Sequence, residues 1–379
     1  MRSISPASSK HARRRAMRWL PVVMVGCLLP LLFVPGTFHL LYGVDQADAA
    51  RWRGMWRDEP IARVPRALEE DTNVRFLPAV AARALVNGVP VKQLRVESPE
   101  TREGVGNFVF NGVDYHVTRS AGFLNARLDR GIRAADAMAD LSRQLRARGI
   151  QLLIVPVPAK ASIYPEMVDP AYDLAKGPNL NVDHGRWIQS LRDGGVNVLD
   201  LTDALWQLKA TEPVYFAQET HWSQAAMRLA ASRIASELQT ADPNLPPADT
   251  FATRWVPHRR TGDLAHYVID GDPAAGTVQE RHLQLIDADA PLLPGNEAPV
   301  LVIGDSFAAQ FVEEGASISQ LIMNELGLKV ESSAIYGGKA PNILRSLAGK
   351  GALDGKRAVV MVFTIRLLIC CEWEPVQLP

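Results

Sequence analysis

Residues 300–311 read VLVIGDSFAAQF, and this stretch predicts a strand, a sharp turn and a helix in succession. Val300 to Ile303 are apolar and mostly β-branched, which favours a buried strand. The Ala-rich sequence after Ser306 favours a helix. A hydroxyl at such a turn can act as a nucleophile or can simply cap the helix, because Ser and Asp are common N-caps. The first role requires a base and an orienting acceptor elsewhere in the chain.

The chain of 379 residues has the composition of a globular protein. Apolar residues make up 47% and charged residues 22%, so most of the chain is expected to fold. Acidic and basic residues balance at 41 each, which gives no support for a nucleic-acid partner. Three cysteines, two of them adjacent, predict no disulfide framework. No His or Cys cluster indicates a metal site, and no motif indicates a cofactor.

The N-terminal region predicts a membrane anchor. Residues 1–18 carry six basic residues and no acid, and residues 19–44 carry no charged side chain. At about 1.5 Å per residue, such a run exceeds the roughly 30 Å hydrocarbon core. We expect a cytoplasmic basic segment at 1–18, a transmembrane helix at 19–43 and an outward-facing remainder. A cleaved signal peptide is the alternative, with the first small-x-small site at residues 47–49.

Apolar strands alternate with helical segments in the second part of the chain. Nearly continuous apolar runs predict strands at 151–157, 196–201, 300–303, 329–335 and 358–363. Apolar spacing of three and four residues predicts helices at 127–148, 181–193, 223–238 and 307–326. This alternation indicates an α/β fold with a parallel central sheet flanked by helices on both faces. Sites in such sheets lie beyond the carboxyl ends of the strands, where Ser306 falls.

Two further segments receive local predictions. Asn111-Gly112 predicts a hairpin turn within residues 104–115. Residues 255–289 are rich in Gly, Pro and Asp, and we expect an irregular insertion there beside the site. Residues 44–104 are charged and mixed, which is typical of a linker leading into the folded domain at 105–379.

The partners that Ser306 needs are expected in VYFAQETHWSQAA, residues 214–226. Glu219 and His221 are two residues apart in a loop that enters a helix, so their side chains can lie on one side. Glu219 could then hold the Nδ1–H of His221, and Nε2 could accept the proton of Ser306. A surface or structural role for a lone histidine is the alternative, but none of the other seven histidines has a comparable setting.

These two segments together resemble the alginate O-acetyltransferase AlgJ/AlgX family, whose members are SGNH hydrolase-like proteins of the bacterial periplasm. The family has an Asp-x-His-Trp segment before a Gly-[Asp/Thr]-Ser-[Tyr/Phe] segment, an order reversed in ordinary SGNH hydrolases. VPVPAKASIYPE at 155–166 and Gly262-Asp263-Leu264 resemble further family segments. The resemblance covers about residues 105–368 and implies an SGNH/flavodoxin-like, three-layer catalytic domain.

The resemblance also assigns roles to single positions. Ser306 matches the nucleophile, His221 the general base and acid, and Glu219 the family's aspartate, from which it departs by one methylene. Tyr336, Gly337 and Gly338 match the position of oxyanion support, and Lys160 and Arg366 are expected to line the site. The resemblance therefore implies an oxyanion-stabilising or substrate-binding role for these five positions.

The function that the resemblance implies is O-acetylation of a periplasmic exopolysaccharide, alginate-like or other, by an inner-membrane protein with a single span. A polysaccharide acceptor, a membrane-bound O-acyltransferase that supplies acetyl groups and other exopolysaccharide synthesis proteins are the expected partners. Two alternatives remain open at this point. They are a carbohydrate acetylesterase with the same three residues and a non-catalytic polysaccharide-binding component of a synthesis complex.

Overall fold

The computed structural model describes residues 101–119, 122–124, 130–245, 250–265, 277–287, 298–334 and, apart from 352, 372 and 374, 351–378. The predicted anchor at 19–43 and its flanks up to residue 100 lie outside this range. Within the described residues, no helix combines the length and the apolar character needed to cross a membrane.

A five-stranded parallel sheet forms the centre of the described domain. Its strands are β3 (Gln151–Val157), β4 (Asn197–Val198), β7 (Val300–Gly304), β8 (Val330–Ala334) and β9 (Ala358–Thr364). They lie side by side in the order β4-β3-β9-β7-β8. Among the described residues, two antiparallel pairs complete the strands, namely β1 (Thr101–Glu103) with β2 (Val109–Asn111) and β5 (Ala252–Thr261) with β6 (Thr277–Asp287). The predicted parallel α/β sheet is confirmed.

The helices complete the α/β arrangement around this sheet. In chain order they are α1 (Gly112–Arg119), α2 (Arg130–Arg146), α3 (Lys160–Ile163), α4 (Pro165–Val168), α5 (His184–Asp193), α6 (Thr202–Leu208), α7 (Gln224–Ala241), α8 (Ser306–Ala309), α9 (Ile318–Leu326) and α10 (Leu367–Cys370). A short 3-10 helix spans Leu174–Lys176.

Both faces of the sheet are buried, because alternate residues of its strands enter two different cores. Val300 and Val302 of β7 pack into one core, together with residues of α7 and α9. Leu301 and Ile303 pack into the other core, together with residues of α2 and α5. Since side chains alternate across a strand, a strand covered on both sides needs a continuous apolar run. This is the pattern that predicted the strands.

The carboxyl ends of three neighbouring strands meet at one edge. Gly304 of β7 pairs with Val362 of β9, and Val157 of β3 pairs with Thr364. The backbone of β9 approaches Gly304 closely, since a Cβ on Gly304 would lie 2.0 Å from the Val362 carbonyl oxygen. A glycine is therefore required where the chain leaves β7 and turns into Ser306.

The predicted single helix at 307–326 is wrong, because the segment forms two helices, α8 and α9. Phe311 adopts a left-handed conformation with φ of 62° and Gly315 one of 74°, which ends the first helix. Ser317 and Gln320 then form a capping box that begins the second. The apolar residues of the intervening turn, such as Phe311 and Ala316, are buried by tertiary contacts.

Two local predictions also fail. Residues 255–289 were expected to be irregular, but most of their described part belongs to the antiparallel ribbon of β5 and β6. Helix α7 holds this ribbon through Gln224, whose side chain donates to the Gln284 carbonyl at 2.8 Å and accepts its N–H at 2.6 Å. Asn111-Gly112 does not form a hairpin turn; Asn111 ends β2, and its side chain accepts the Val113 N–H at 3.0 Å where α1 begins.

Candidate active site

Ser306 follows β7 at the edge where the strand ends meet. The N-cap of its helix is Asp305, whose Oδ1 accepts the Phe307 N–H at 2.9 Å. The Oδ2 atom of Asp305 accepts the Thr364 N–H at 3.0 Å and ties the turn to the end of β9. Burial raises the pKa of Asp305, against the opposing effect of the Thr364 hydrogen bond. The capping role weighed for Ser306 therefore belongs to its neighbour, and Ser306, 8% exposed, occupies the first helical position.

A doubled-back loop presents the second predicted segment. Tyr215 and Trp222 form an isolated antiparallel bridge, and the Ser223 N–H donates to the Val214 carbonyl at 2.9 Å. The Ser223 hydroxyl accepts the Ala226 N–H at 3.2 Å and caps α7. Both ends of the loop are therefore fixed at the start of α7.

Glu219 and His221 lie in this loop and contact each other directly. His221 Nδ1 lies 2.7 Å from Glu219 Oε1, and the same oxygen accepts the His221 backbone N–H at 3.0 Å. Glu219 is fully buried, whereas the His221 side chain is 12% exposed. Burial alone would raise the pKa of Glu219, but the His221 hydrogen bond and the charge of Arg260 lower it to about 2. The carboxylate is therefore ionised and oriented towards the imidazole.

Two residues of the β5 region complete the surroundings of Glu219. Arg260 Nη1 donates to Glu219 Oε2, and the Asp263 backbone N–H donates to the same oxygen at 3.3 Å. The Asp263 carboxylate accepts the Thr220 N–H at 2.7 Å and lies 3.8 Å from His221 Nδ1. Burial and the charge of Glu219 raise the pKa of Asp263. Both Glu219 oxygens therefore have fixed partners.

Phe307 joins the Ser306 turn to the His221 loop. Its ring centroid lies 5.1 Å from that of His221, and its carbonyl accepts the Trp222 indole N–H at 3.0 Å. In the amide orientation that satisfies its neighbours, Gln310 donates to the Trp222 carbonyl at 3.1 Å and accepts from Arg260 Nη2 at 2.8 Å. The structure thus brings the two predicted segments together, with Ser306 next in sequence to the residue that packs on His221.

A cavity of about 480 Å³ opens beside Glu219 and His221. Its described lining includes Glu219, His221, Arg260, Asp263, the turn at 309–314 and Ala334. This volume lies within the roughly 300–1,000 Å³ that is typical of ligand pockets. Glu219, His221 and Asp263 also place one potential metal-ligand atom each within 4.8 Å of one another. A cation bound there would have to displace the Arg260 guanidinium from Glu219.

Residues 118–352, more than half of the chain, match the family model described as "SGNH hydrolase-like domain, acetyltransferase AlgX". The chain belongs to this family. The family is the one that the order of the two motifs predicted.

Curated relatives include proteins named "Probable alginate O-acetylase AlgJ". The one from Pseudomonas aeruginosa is 31% identical over 187 residues, 47% of this chain and 46% of that protein. The one from Pseudomonas fluorescens is 25% identical over 309 residues, 77% of this chain and 73% of that protein. The chain thus spans about half the length of the first relative in this match.

Two solved structures share the fold. The O-acetyltransferase domain of Pseudomonas putida AlgJ aligns with a TM-score of 0.58 and 19% identity, covering 73% of this chain and 94% of that one. Pseudomonas aeruginosa AlgX aligns with a TM-score of 0.53 and 16% identity, covering 70% of this chain and 61% of that one. At these identities the likeness concerns the fold alone.

Lys160, which the family resemblance predicts in the site, lies beneath it. Its Nζ donates to the carbonyls of Val109 at 2.7 Å, Ala217 at 2.7 Å and Glu219 at 3.1 Å, and the residue is 1% exposed. Burial lowers the pKa of Lys160 to about 7, against the charges of Asp263, Glu219 and Asp114. Lys160 therefore supports the backbone of the Glu219 loop and is not among the described residues that line the cavity.

Arg366, also predicted to line the site, ion-pairs with Asp114 at 3.1 Å. Its guanidinium carbon lies 5.2 Å from the centroid of the Phe307 ring, so it contacts the residue after Ser306. Tyr336, Gly337 and Gly338, predicted to give oxyanion support, lie outside the described residues.

Sequence reasoning did not identify Arg260 or Gln310 as parts of the site. Asp263 had one signal, its place in Gly262-Asp263-Leu264. Arg260 had no signal in the sequence. It lies on a largely exposed ribbon, where no local pattern distinguishes it from Arg254 or Arg259. The pairing of β5 with β6 and the packing of the ribbon against Phe311 direct Arg260 towards Glu219.

Proposed function

We propose that the chain is an O-acetyltransferase that acts on a periplasmic exopolysaccharide through Ser306, His221 and Glu219. The observation that carries the proposal is the buried Glu219 carboxylate, which holds His221 Nδ1 at 2.7 Å beside the turn that bears Ser306. A buried acceptor on Nδ1 selects the tautomer in which Nε2 is the basic nitrogen, and it stabilises the imidazolium that forms. Family membership supports the same chemistry.

The first half-reaction forms an acetyl-enzyme. Ser306 Oγ attacks the carbonyl carbon of an acetyl ester, and its proton passes to His221 Nε2. The tetrahedral oxyanion is stabilised by the Ser306 backbone N–H, at the first position of α8, and by a second donor. The C–O bond to the leaving alcohol then breaks, the alkoxide takes the proton from His221, and acetyl-Ser306 remains.

The second half-reaction transfers the acetyl group to the glycan. A sugar hydroxyl gives its proton to His221 Nε2 while its oxygen attacks acetyl-Ser306. Collapse of the tetrahedral intermediate breaks the bond to Ser306 Oγ, which recovers the proton, and releases the acetylated sugar. Water in place of the sugar would give free acetate, so transfer depends on the acceptor filling the cavity.

We propose further that residues 19–43 anchor the chain in the inner membrane with the domain in the periplasm. Because acetyl-CoA is cytoplasmic, a membrane-bound O-acyltransferase is the expected source of the acetyl group. Other exopolysaccharide synthesis proteins are the expected neighbours. The basic segment before the apolar run supports this orientation.

The test is acetyl transfer from p-nitrophenyl acetate, with mass spectrometry of the trapped acyl-enzyme. We expect one acetyl group on the peptide that contains Ser306, and its loss in Ser306→Ala and His221→Ala. Ser236→Ala, at an exposed position of α7, is the matched control and should keep full activity. Full activity of Ser306→Ala would exclude the proposal, and free acetate as the only product with every acceptor would assign an esterase.

A further inference from the structure

The described lining of the cavity beside His221 carries more acidic than basic side chains. Among the described residues that line it, four bear carboxylates, namely Glu219, Asp263, Glu313 and Glu314, and one bears a guanidinium, Arg260. This imbalance is local, because the whole chain is neutral, with 41 acidic and 41 basic residues. A cleft lined by one sign of charge attracts or repels a charged ligand before contact.

Arg260, the one guanidinium-bearing side chain in the described lining, already contacts three neighbouring residues. Arg260 Nη1 bonds Glu219, its Nη2 bonds Gln310, and its guanidinium carbon lies 5.4 Å from the centroid of the Phe311 ring. A ligand carboxylate that bound Arg260 Nη1 would compete with the fully buried carboxylate of Glu219. The positive charge of Arg260 is therefore already offset by the carboxylate of Glu219.

The two exposed glutamates are held at the cavity by a well-defined turn. Glu313 and Glu314 lie between α8 and α9. In this turn the Val312 N–H donates to the Ala309 carbonyl at 3.2 Å, and the Gly315 N–H donates to the Val312 carbonyl at 3.3 Å. Gln320 Nε2 donates to the Val312 carbonyl at 3.2 Å. No ion pair within the described part of the chain neutralises either glutamate. Their charges therefore face whatever enters the cavity.

We propose that the acceptor taken by this cavity is a glycan without carboxylate groups, with Glu313 and Glu314 as the residues that disfavour a polyuronate. The proposal rests on the acetyl transfer proposed above and narrows its substrate class. It separates this chain from the relatives named for alginate, which is a polyuronate. A uronate carboxylate in the cavity would meet like charges within a Debye length, about 10 Å at 0.1 M salt.

The experiment uses p-nitrophenyl acetate as donor and two acceptors of equal length, a cello-oligosaccharide and an oligomannuronate. The measured quantity is the ratio of the two acceptor kcat/KM values at low and at high salt, with products identified by mass spectrometry. We expect the neutral acceptor to be preferred about tenfold at low salt, and the preference to shrink at high salt because exposed charges are screened.

Variants locate the effect. The double variant Glu313→Gln/Glu314→Gln should raise kcat/KM for the oligomannuronate several-fold relative to kcat/KM for the cello-oligosaccharide. The reason is that two negative charges facing the cavity are removed. Glu325→Gln, exposed on α9 and absent from the described cavity lining, is the matched control and should leave the ratio unchanged. Thermal unfolding of each variant checks that the fold is kept.

Equal or better use of the oligomannuronate at low salt would overturn the proposal, as would a double variant with an unchanged ratio. If neither oligosaccharide takes up acetyl, their inhibition of ester cleavage ranks them instead. Stronger inhibition by the cello-oligosaccharide then supports the proposal, and any other ranking overturns it. If the ester gives no acyl-enzyme at all, the proposed function fails. If the acyl-enzyme forms but the oligomannuronate is used as well as or better than the cello-oligosaccharide, only the present inference fails.

Discussion

Glu219 accepts two hydrogen bonds from His221 on one carboxylate oxygen, from Nδ1 at 2.7 Å and from the backbone N–H at 3.0 Å. The second bond fixes the glutamate side chain over its own loop, so the methylene that distinguishes it from the family's aspartate does not leave it mobile. The other oxygen is held by Arg260 and by the Asp263 N–H. A glutamate can therefore orient the imidazole from this position.

The charge and the length of Glu219 can be tested separately. We expect Glu219→Gln to lower kcat/KM for ester cleavage by roughly 10²–10⁴, because an amide cannot stabilise the imidazolium to the same extent. Glu219→Asp keeps the charge but is too short to maintain both His221 contacts, and roughly tenfold loss is expected. Glu212→Gln, half-exposed near Arg228, is the control. Wild-type rates in Glu219→Gln would show that the carboxylate has no catalytic role.

Arg260 should control the acid stability of the domain through Glu219. The pKa of Glu219 falls from its usual 4.5 to about 2 in the folded chain, so the unfolded chain binds more protons between these values. The unfolding free energy that Glu219 contributes is therefore complete above about pH 4.5 and is lost as the pH falls towards about 2. Arg260→Gln removes one cause of the low pKa, and we expect a shallower pH dependence in this window.

Urea unfolding of wild type and Arg260→Gln at several pH values between about 2 and 7 measures this difference. Arg259→Gln, exposed on the same strand, is the matched control and should follow the wild-type curve. Identical slopes for wild type and Arg260→Gln would contradict the electrostatic role assigned to Arg260.

Lys160 should stabilise the fold through the three carbonyls that it binds. Lys160→Met fills similar space but leaves buried carbonyl oxygens without donors, and a loss on the order of 3 kcal/mol of unfolding free energy is expected. The pKa of Lys160 is about 7 in the folded chain, against a usual value of 10.5. Between these values the unfolded chain binds one more proton than the folded chain. The unfolding free energy of the wild type therefore increases as the pH rises through this window.

The methionine variant lacks this gain, so its deficit relative to wild type should be larger at about pH 9 than at about pH 7. Guanidinium unfolding at both pH values provides the measurement. Lys176→Met, at an exposed position, should behave as wild type. A deficit that narrows with rising pH would contradict the lowered pKa of Lys160.

Gly304 should be intolerant of a side chain. A Cβ there would lie 2.0 Å from the Val362 carbonyl oxygen and 2.7 Å from the Ala308 Cβ, so Gly304→Ala forces β7 and β9 apart. We expect a loss of roughly 1–3 kcal/mol or more, measured by thermal unfolding. Gly185→Ala in α5 meets no atom within 4 Å and should gain up to about 1 kcal/mol from helix propensity. Equal effects of the two substitutions would contradict the close approach of β9.

The sequence predicted the sheet well because a strand buried on both faces needs an unbroken apolar run, and such runs are visible locally. The same reasoning failed at 307–326, where the apolar residues of the turn resemble a helix face although Phe311 and Gly315 interrupt it. It failed again at 255–289, because an exposed two-stranded ribbon carries little apolar pattern and its strands are defined by their mutual pairing.

The sequence by itself determined the family, the parallel sheet and the candidates Ser306, His221 and Glu219, because these depend on short patterns and on their order along the chain. Tertiary structure alone decided that Trp222 and Phe307, 85 residues apart, join the two segments, and that Arg260 meets Glu219 across 41 residues. It also placed Lys160 beneath the site and the acidic side chains around the cavity. Contacts between distant segments depend on chain closure and packing, which no local pattern encodes.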